Sequence, residues 1–258
     1  MWNPHQSISG STSKILGATG ILVVLAAWGI VTGAGWVTPA FLPAPWNVVS
    51  TLVRLTSEGT LVDALLWSSS RVAVSVFLVV VIGVPVGVLM GASPYVNALL
   101  SPLVDPFRSA PLVAALPILV MWFGIGEMMK IAFLWLGAVV YLVPMVRDAI
   151  KAVPLEQVVM SQDLGGTPLE IVWHTIYPIA KPRIADAIIV SVGIEWTYIT
   201  VAEYVNAKQG LGRIISNGER LSASDQVFGG ILVILMIALL TDWVLRTAKS
   251  KLYPWEST

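Results

Sequence analysis

PLEQVVMSQDLGGTPLEIVWHTIYP, residues 154–178, is a polar interruption between two runs of membrane-grade hydrophobicity, and its pattern is that of a folded element. Leu155, Val158, Val159 and Leu164 recur near helical spacing, which predicts a short amphipathic helix. Gly165-Gly166 ends it, because glycine accepts the left-handed backbone that a helix stop requires. Thr167 then reads as an N-cap, Pro168 suits the first helical position, and Glu170 stands where a capping box places its acid. A second short helix, Pro168 to about Tyr177, is expected to stop or kink at Pro178. Helix, Gly-Gly, short helix and proline make a rigid bracket between two membrane spans, a place for something to dock.

Outward from the bracket, composition fixes the setting. The 258 residues are 56% hydrophobic and 12% charged, with mean hydropathy +0.82. Soluble domains carry about twice that charged fraction, so most of the chain belongs in lipid. A formal net charge of zero argues against nucleic acid as a partner. No cysteine is present, which excludes a disulfide scaffold, thiol catalysis and Cys-ligated zinc. His5 and His174 are too far apart to read as a metal site. No phosphate-loop pattern G-x-x-x-x-G-K-[ST], no H-E-x-x-H and no G-x-S-x-G occurs, so the chain offers no nucleotide cradle and no catalytic set of its own.

Six spans are expected from hydropathy. Residues 1–14 form an N-terminal tail, 15–36 a first span, and 37–69 a connector whose Val48, Leu52, Val53 and Leu55 make an amphipathic turn. Residues 70–248 form the core, including the bracket loop 153–182, and 249–258 a basic tail. Within the core the second span runs from Ser70 to Met90, with Gly83, Pro85, Gly87 and Gly91 spaced for close helix packing. The third span, Val104 to Phe123, carries Pro106, Pro111 and Pro117; such prolines either line a cavity or mark plain kinks. The fourth runs Ile131–Val146, the fifth Ile184–Tyr204 and the sixth Val227–Leu245. Six spans put both termini on one side. If that side is the cytoplasm, nine of the 15 basic residues lie there, mostly at span ends, as the positive-inside rule asks. The bracket then faces the cytoplasm, and Arg54, Arg71, Lys130, Lys208, Arg213 and Arg220 face outside.

Acids inside spans are costly and therefore functional candidates. Glu195 sits mid-span, with Trp196, Thr197, Tyr198 and Thr200 beside it and Glu203 two turns on. For Glu195 a lined pathway and a structural charge are both open; for Glu203, near the outer end, a structural hydrogen-bonding role is favoured. A secondary transporter or channel remains an alternative class, although no repeat relates residues 1–128 to 129–258. A membrane enzyme lacks any nucleophile or metal set.

The bracket resembles the EAA loop of bacterial ABC importer permeases, in which Glu-Ala-Ala, three residues and Gly are followed by a hydrophobic-x-Leu-Pro end. Gly165 and Pro178 hold that glycine and proline at the same separation, while Val159-Met160-Ser161 replace Glu-Ala-Ala and Thr175 and Tyr177 replace aliphatic residues. Leu42-Pro43-Ala44-Pro45, Ser69-Ser70-Arg71-Val72, Trp122-Phe123-Gly124-Ile125-Gly126-Glu127, Ala202-Glu203, Gly210-Leu211-Gly212 and Leu252-Tyr253-Pro254-Trp255 are similar, in order, to signatures of the nitrate/sulfonate/taurine/bicarbonate permease group. The resemblance implies an all-α polytopic protein of about six transmembrane helices with the type I ABC importer permease fold, in a bacterial inner membrane. It implies a homodimer with two ABC ATP-binding subunits, which carry the ATP and Mg, and an external solute-binding protein that delivers a small anion. Leu164, Gly165, Gly166, Thr167, Pro168, Leu169, Glu170, Ile171, Trp173, His174 and Pro178 are then expected to couple to the ATPase. Pro111, Pro117, Glu195, Trp196, Thr197, Thr200 and Glu203 are the candidates for the translocation pathway.

Overall fold

The computed structural model describes residues 9–205 and 208–256, so most of the tail placed at residues 1–14, and His5 with it, lies outside the described residues. Every regular element among the described residues is helical: α1 Gly10–Gly33, α2 Pro45–Ser57, α3 Thr60–Ala92, α4 Pro94–Val104, α5 Leu116–Phe123, α6 Glu127–Lys151, α7 Leu155–Asp163, α8 Pro168–Ile171, α9 Tyr177–Tyr204, α10 Leu211–Arg220 and α11 Ser224–Leu252, with short 3-10 and π turns between some of them. Five helical stretches are long and apolar enough to cross a membrane, or six if the bent pair Pro94–Arg108 and Leu112–Phe123 counts as one. The chain divides into two units, one of Met1–Leu61 with Ile214–Ile231 and one of Val62–Arg213 with Leu232–Thr258.

In the first unit, α1 exposes its apolar side chains all round, as a helix surrounded by hydrocarbon does. Trp28 Nε1 donates to the Pro43 carbonyl at 2.9 Å. The amphipathic reading of the connector holds: Val48, Thr51 and Leu55 form the buried face of α2. Leu52 packs where Gly229 leaves room, and Thr51 donates to the Asp225 carboxylate.

In the second unit, α3, α6 and α9 make the core. Cβ atoms on Gly83, Gly87 and Gly91 would meet Leu142, Val146 and Ile150 at 3.0, 2.6 and 2.5 Å. Both sets advance by four residues in the same direction, so α3 and α6 run parallel, the glycine row of one against the aliphatic row of the other. The glycines of the second span therefore serve packing. Helix α9 packs antiparallel against α6, joining Ile184 and Ala187 to Ala138, Leu142 and Val146.

Three expectations need correction. Helix α3 begins at Thr60 rather than Ser70, because residues 60–69 contain no glycine or proline to stop a helix that Asp63 favours at its first turn. The third span is not one helix: its halves meet at 101°. Pro106 and Pro117 stand in first turns and Pro111 at an N-cap, positions where a missing N–H costs nothing. Finally, Pro178 does not stop its helix. One π turn, Val172–Ile176, precedes it, with Tyr177 N bonded to Val172 O. The widened turn absorbs the clash that the proline ring makes with the preceding turn, and the helix runs on from Pro168 to Tyr204 over 37 residues.

Candidate functional site

Two clusters occupy opposite ends of the α3–α6–α9 core. The first is the bracket. Helix α7 ends in a Schellman pair, Gly166 N to Ser161 O at 3.0 Å and Gly165 N to Gln162 O at 2.8 Å, with Gly165 at φ +83°, where a side chain is strained. Thr167 caps α8: its backbone N–H and hydroxyl donate to Glu170 Oε2 at 2.8 and 2.7 Å, and its hydroxyl accepts from Glu170 N at 3.4 Å. The capping box expected from the sequence is present. Ile171 is buried against Gly166. Ser161 and Thr175, two of the positions that depart from the EAA pattern, meet at 2.8 Å through their hydroxyls and tie α7 to the π turn. His174 Nδ1 lies 3.1 Å from the Glu170 carbonyl, and Trp173 packs edge-on to Tyr177. With its backbone thus satisfied from within, the bracket presents Leu164 at 80%, Leu169 at 69% and Trp173 at 51% exposure. Exposed apolar residues on a hydrogen-bonded element are the kind of surface that marks interaction sites.

The second cluster sits at the other end of the core. Arg71 from α3 donates through Nε and Nη2 to the two carboxylate oxygens of Glu127, at 2.5 and 2.9 Å, and through Nη1 to Glu203 Oε1 at 2.6 Å and Gln209 O at 2.9 Å. Lys130 Nζ reaches Glu127 Oε1 at 2.8 Å. Glu203 also accepts from the Ser68 hydroxyl at 2.7 and 3.0 Å and from Gly212 N at 2.8 Å, and Ser68 accepts from Leu211 N at 2.9 Å. Gly210, at φ +120°, lies so close to the Glu203 carboxylate that a Cβ would overlap it. Arg71, Lys130 and Glu203 are buried, while the Glu127 side chain is 47% exposed. Two cations and two anions thus cancel, as ions withdrawn from water must, and they pin α3, α6, α9 and the 208–212 loop together. Glu203, expected to act through hydrogen bonds, accepts them from Ser68, Arg71 and Gly212 N. In the sequence Arg71, Glu127 and the Gly210–Gly212 loop stand in separate signatures, and nothing there shows that they meet in one cluster. The available signal was the charge in or beside apolar runs, which asks for opposite partners.

The remaining pathway candidates differ in exposure. Pro111, Pro117 and Thr197 are exposed, and Thr200 is half-buried. Glu195 and Trp196 are buried inside the unit. Among the described residues, both oxygens of Glu195, the Ser75 hydroxyl from α3 and Trp196 Nε1 have no hydrogen-bond partner.

The fold defines a class, a polytopic helical membrane protein with a capped polar bracket at one end of its core. Residues 83–252 match the family described as binding-protein-dependent transport system inner membrane component, and the chain belongs to it. The chain is 33% identical over 240 residues to the taurine transport system permease protein TauC of Escherichia coli (strain K12), covering 91% of this chain and 87% of the relative. It is 30% identical over 241 residues to the putative aliphatic sulfonates transport permease protein SsuC of Bacillus subtilis (strain 168), covering 92% and 86%. Among solved structures, an inward-facing MetNI methionine ABC transporter chain superposes with TM-score 0.68 at 24% identity, over 76% of this chain and 97% of that one. The fold is therefore that of type I ABC importer permeases, and the protein is a multi-pass inner-membrane transport component of an ATP-driven complex. An ATPase and a solute-binding protein are the partners that this family implies.

Proposed function

We propose that this chain is the permease of an importer for small sulfonates, in the taurine and alkanesulfonate class, working as a homodimer with two ATP-binding subunits. The substrate reading is supported by the two relatives above 29% identity over most of the chain, whose names specify taurine and aliphatic sulfonates. The chain contributes no nucleotide-binding motif, so ATP and Mg are carried by the ATPase. Both termini and the bracket lie in the cytoplasm, on the placement of basic residues at span ends.

The observation that carries the mechanism is the unbroken helix from Pro168 to Tyr204. At 1.5 Å per residue it is a rod about 55 Å long. One end presents Leu164, Leu169 and Trp173 for an ATPase groove; the other holds Glu203 in the charge cluster. Movement of the bracket on ATPase closure displaces this rod and shifts the permease between two packings close in free energy, the difference being supplied by the ATPase contacts. Uptake of labelled taurine and methanesulfonate into proteoliposomes holding the permease, its ATPase and its binding protein tests the reading. ATP-dependent uptake of either sulfonate is expected. Uptake driven by an ion gradient without ATP, or ATP-dependent uptake of nitrate or bicarbonate alone, would overturn it.

A further inference from the structure

The charge cluster is two sites that share one arginine. Glu203 is complete on its own side: Ser68, Gly212 N and Arg71 Nη1 satisfy both its oxygens. Among the described residues, Glu127 alone satisfies the other edge of the guanidinium and the Lys130 ammonium, which converge on its Oε1 at 2.9 and 2.8 Å. The two cations are buried and the carboxylate that covers them is half exposed. Burial is thus arranged with the cations as floor and the anion as lid.

We propose that Arg71 and Lys130 form an oxyanion seat which Glu127 fills at rest, and that a sulfonate or sulfate group enters it by displacing the Glu127 carboxylate. A guanidinium edge with two parallel N–H donors, joined by an ammonium, suits any oxyanion that presents two or three oxygens. The exchange is selective by charge. Removing Glu127 leaves two buried cations against one remaining anion, a state that only another anion relieves. Departure of the carboxylate needs little repacking. Glu127 is the first residue of α6, and Gly124 and Gly126 just before it have no neighbour within 4 Å of where a Cβ would stand. Ile125 and Met128 on either side are exposed. The choice of a sulfonate as ligand rests on the proposed function; the seat itself rests on the geometry.

The test is titration of the purified full-length permease with methanesulfonate and, separately, with inorganic sulfate, at constant ionic strength. Calorimetry gives the affinity, and the part of the tryptophan emission change that Trp67→Phe removes reports the site, because the Arg71 guanidinium lies 5.6 Å over the Trp67 ring. Glu127→Gln, which removes the competing charge, is expected to bind methanesulfonate at least about tenfold more tightly than the unmodified chain, the scale of one charge-assisted contact. Adding Lys130→Met to that variant is expected to abolish the gain. If Glu127→Gln does not fold, Glu127→Asp, which keeps the charge but shortens the reach, is expected to show a smaller gain. Tightening toward methanesulfonate only makes the seat part of the substrate's route. Tightening toward both anions makes it a general oxyanion site, and either result supports the proposal. Equal affinity in the folded variant and the unmodified chain, or a gain that survives Lys130→Met, overturns it. Sulfonate uptake by the complex with no such tightening removes the seat and leaves the proposed function standing; tightening without sulfonate uptake does the reverse.

Discussion

The bracket and the charge cluster are joined by one helix and stabilised in opposite ways. The turns of the bracket are shaped by bonds within five residues, Gly166 to Ser161 and Thr167 to Glu170, and one bond across 14 residues, Ser161 to Thr175, closes it. Its apolar side chains are left outside. The cluster draws on contacts far apart in the chain, Arg71 to Glu127 and to Glu203 and Ser68 to Glu203, and Arg71, Lys130 and Glu203 are withdrawn from water. On the proposed function the bracket binds and releases a partner, and its internal hydrogen bonds survive the partner's departure. A junction that must hold three spans in register draws on long-range ion pairs, whose loss is costly because the survivor is stranded.

Breaking the comparison at its costly end gives the largest expected effect. Arg71→Met leaves Glu203 buried and without its cation, and is expected to lower stability by about 3–5 kcal/mol. The yield and melting temperature of the solubilised protein measure this, and Arg71→Met with Glu203→Gln is expected to recover part of the loss. An unchanged melting temperature would mean the ion pairs do not hold the spans. At the bracket the expected effect is on docking instead. Leu164→Asp puts a charge on a side chain that is 80% exposed, so folding is retained, while affinity for the ATPase subunit drops by about 2 kcal/mol, the size of an interface hot spot. Solute-stimulated ATP hydrolysis at the normal level in this variant would remove Leu164 from the contact. Smaller still is the cap. Thr167→Ala is expected to cost about 1 kcal/mol, read as faster hydrogen exchange confined to α8 and the π turn; exchange spread through α9 would contradict the local character of the bracket. The smallest effect belongs to Ser161 and Thr175. Ser161→Ala and Thr175→Val in a double-mutant cycle are expected to couple by about 0.5–1.5 kcal/mol in thermal unfolding, and additive single effects would show that their hydrogen bond does not tie α7 to the π turn.

This division explains what was legible. The Gly165-Gly166 stop and the Thr167–Glu170 box were readable because their partners lie within five residues and their chemistry is specific to residue type. The glycine row of α3 was readable as a packing face, though not its partner, since α6 lies across an intervening bent span. Pro178 misled because a proline signals a break only when the preceding turn is α-helical; the π turn at Val172–Ile176 removes the conflict, and hydrophobic periodicity carries no trace of it. The third span misled because its length and hydropathy sum correctly over two halves set at 101°.

The sequence by itself determined that this is a helical membrane protein, where its docking bracket begins, how that bracket is capped, and which permease group it is similar to. These follow from composition and from interactions between near neighbours, which depend on local residue identity alone. Only the tertiary structure decided that the bracket is continuous with the helix bearing Glu203. It likewise decided that Arg71, Lys130, Glu127 and Glu203 are a single charge-balanced cluster. A buried charge announces that it needs a partner, but which of several distant partners it finds is fixed by how the helices pack, and packing is a property of the whole core.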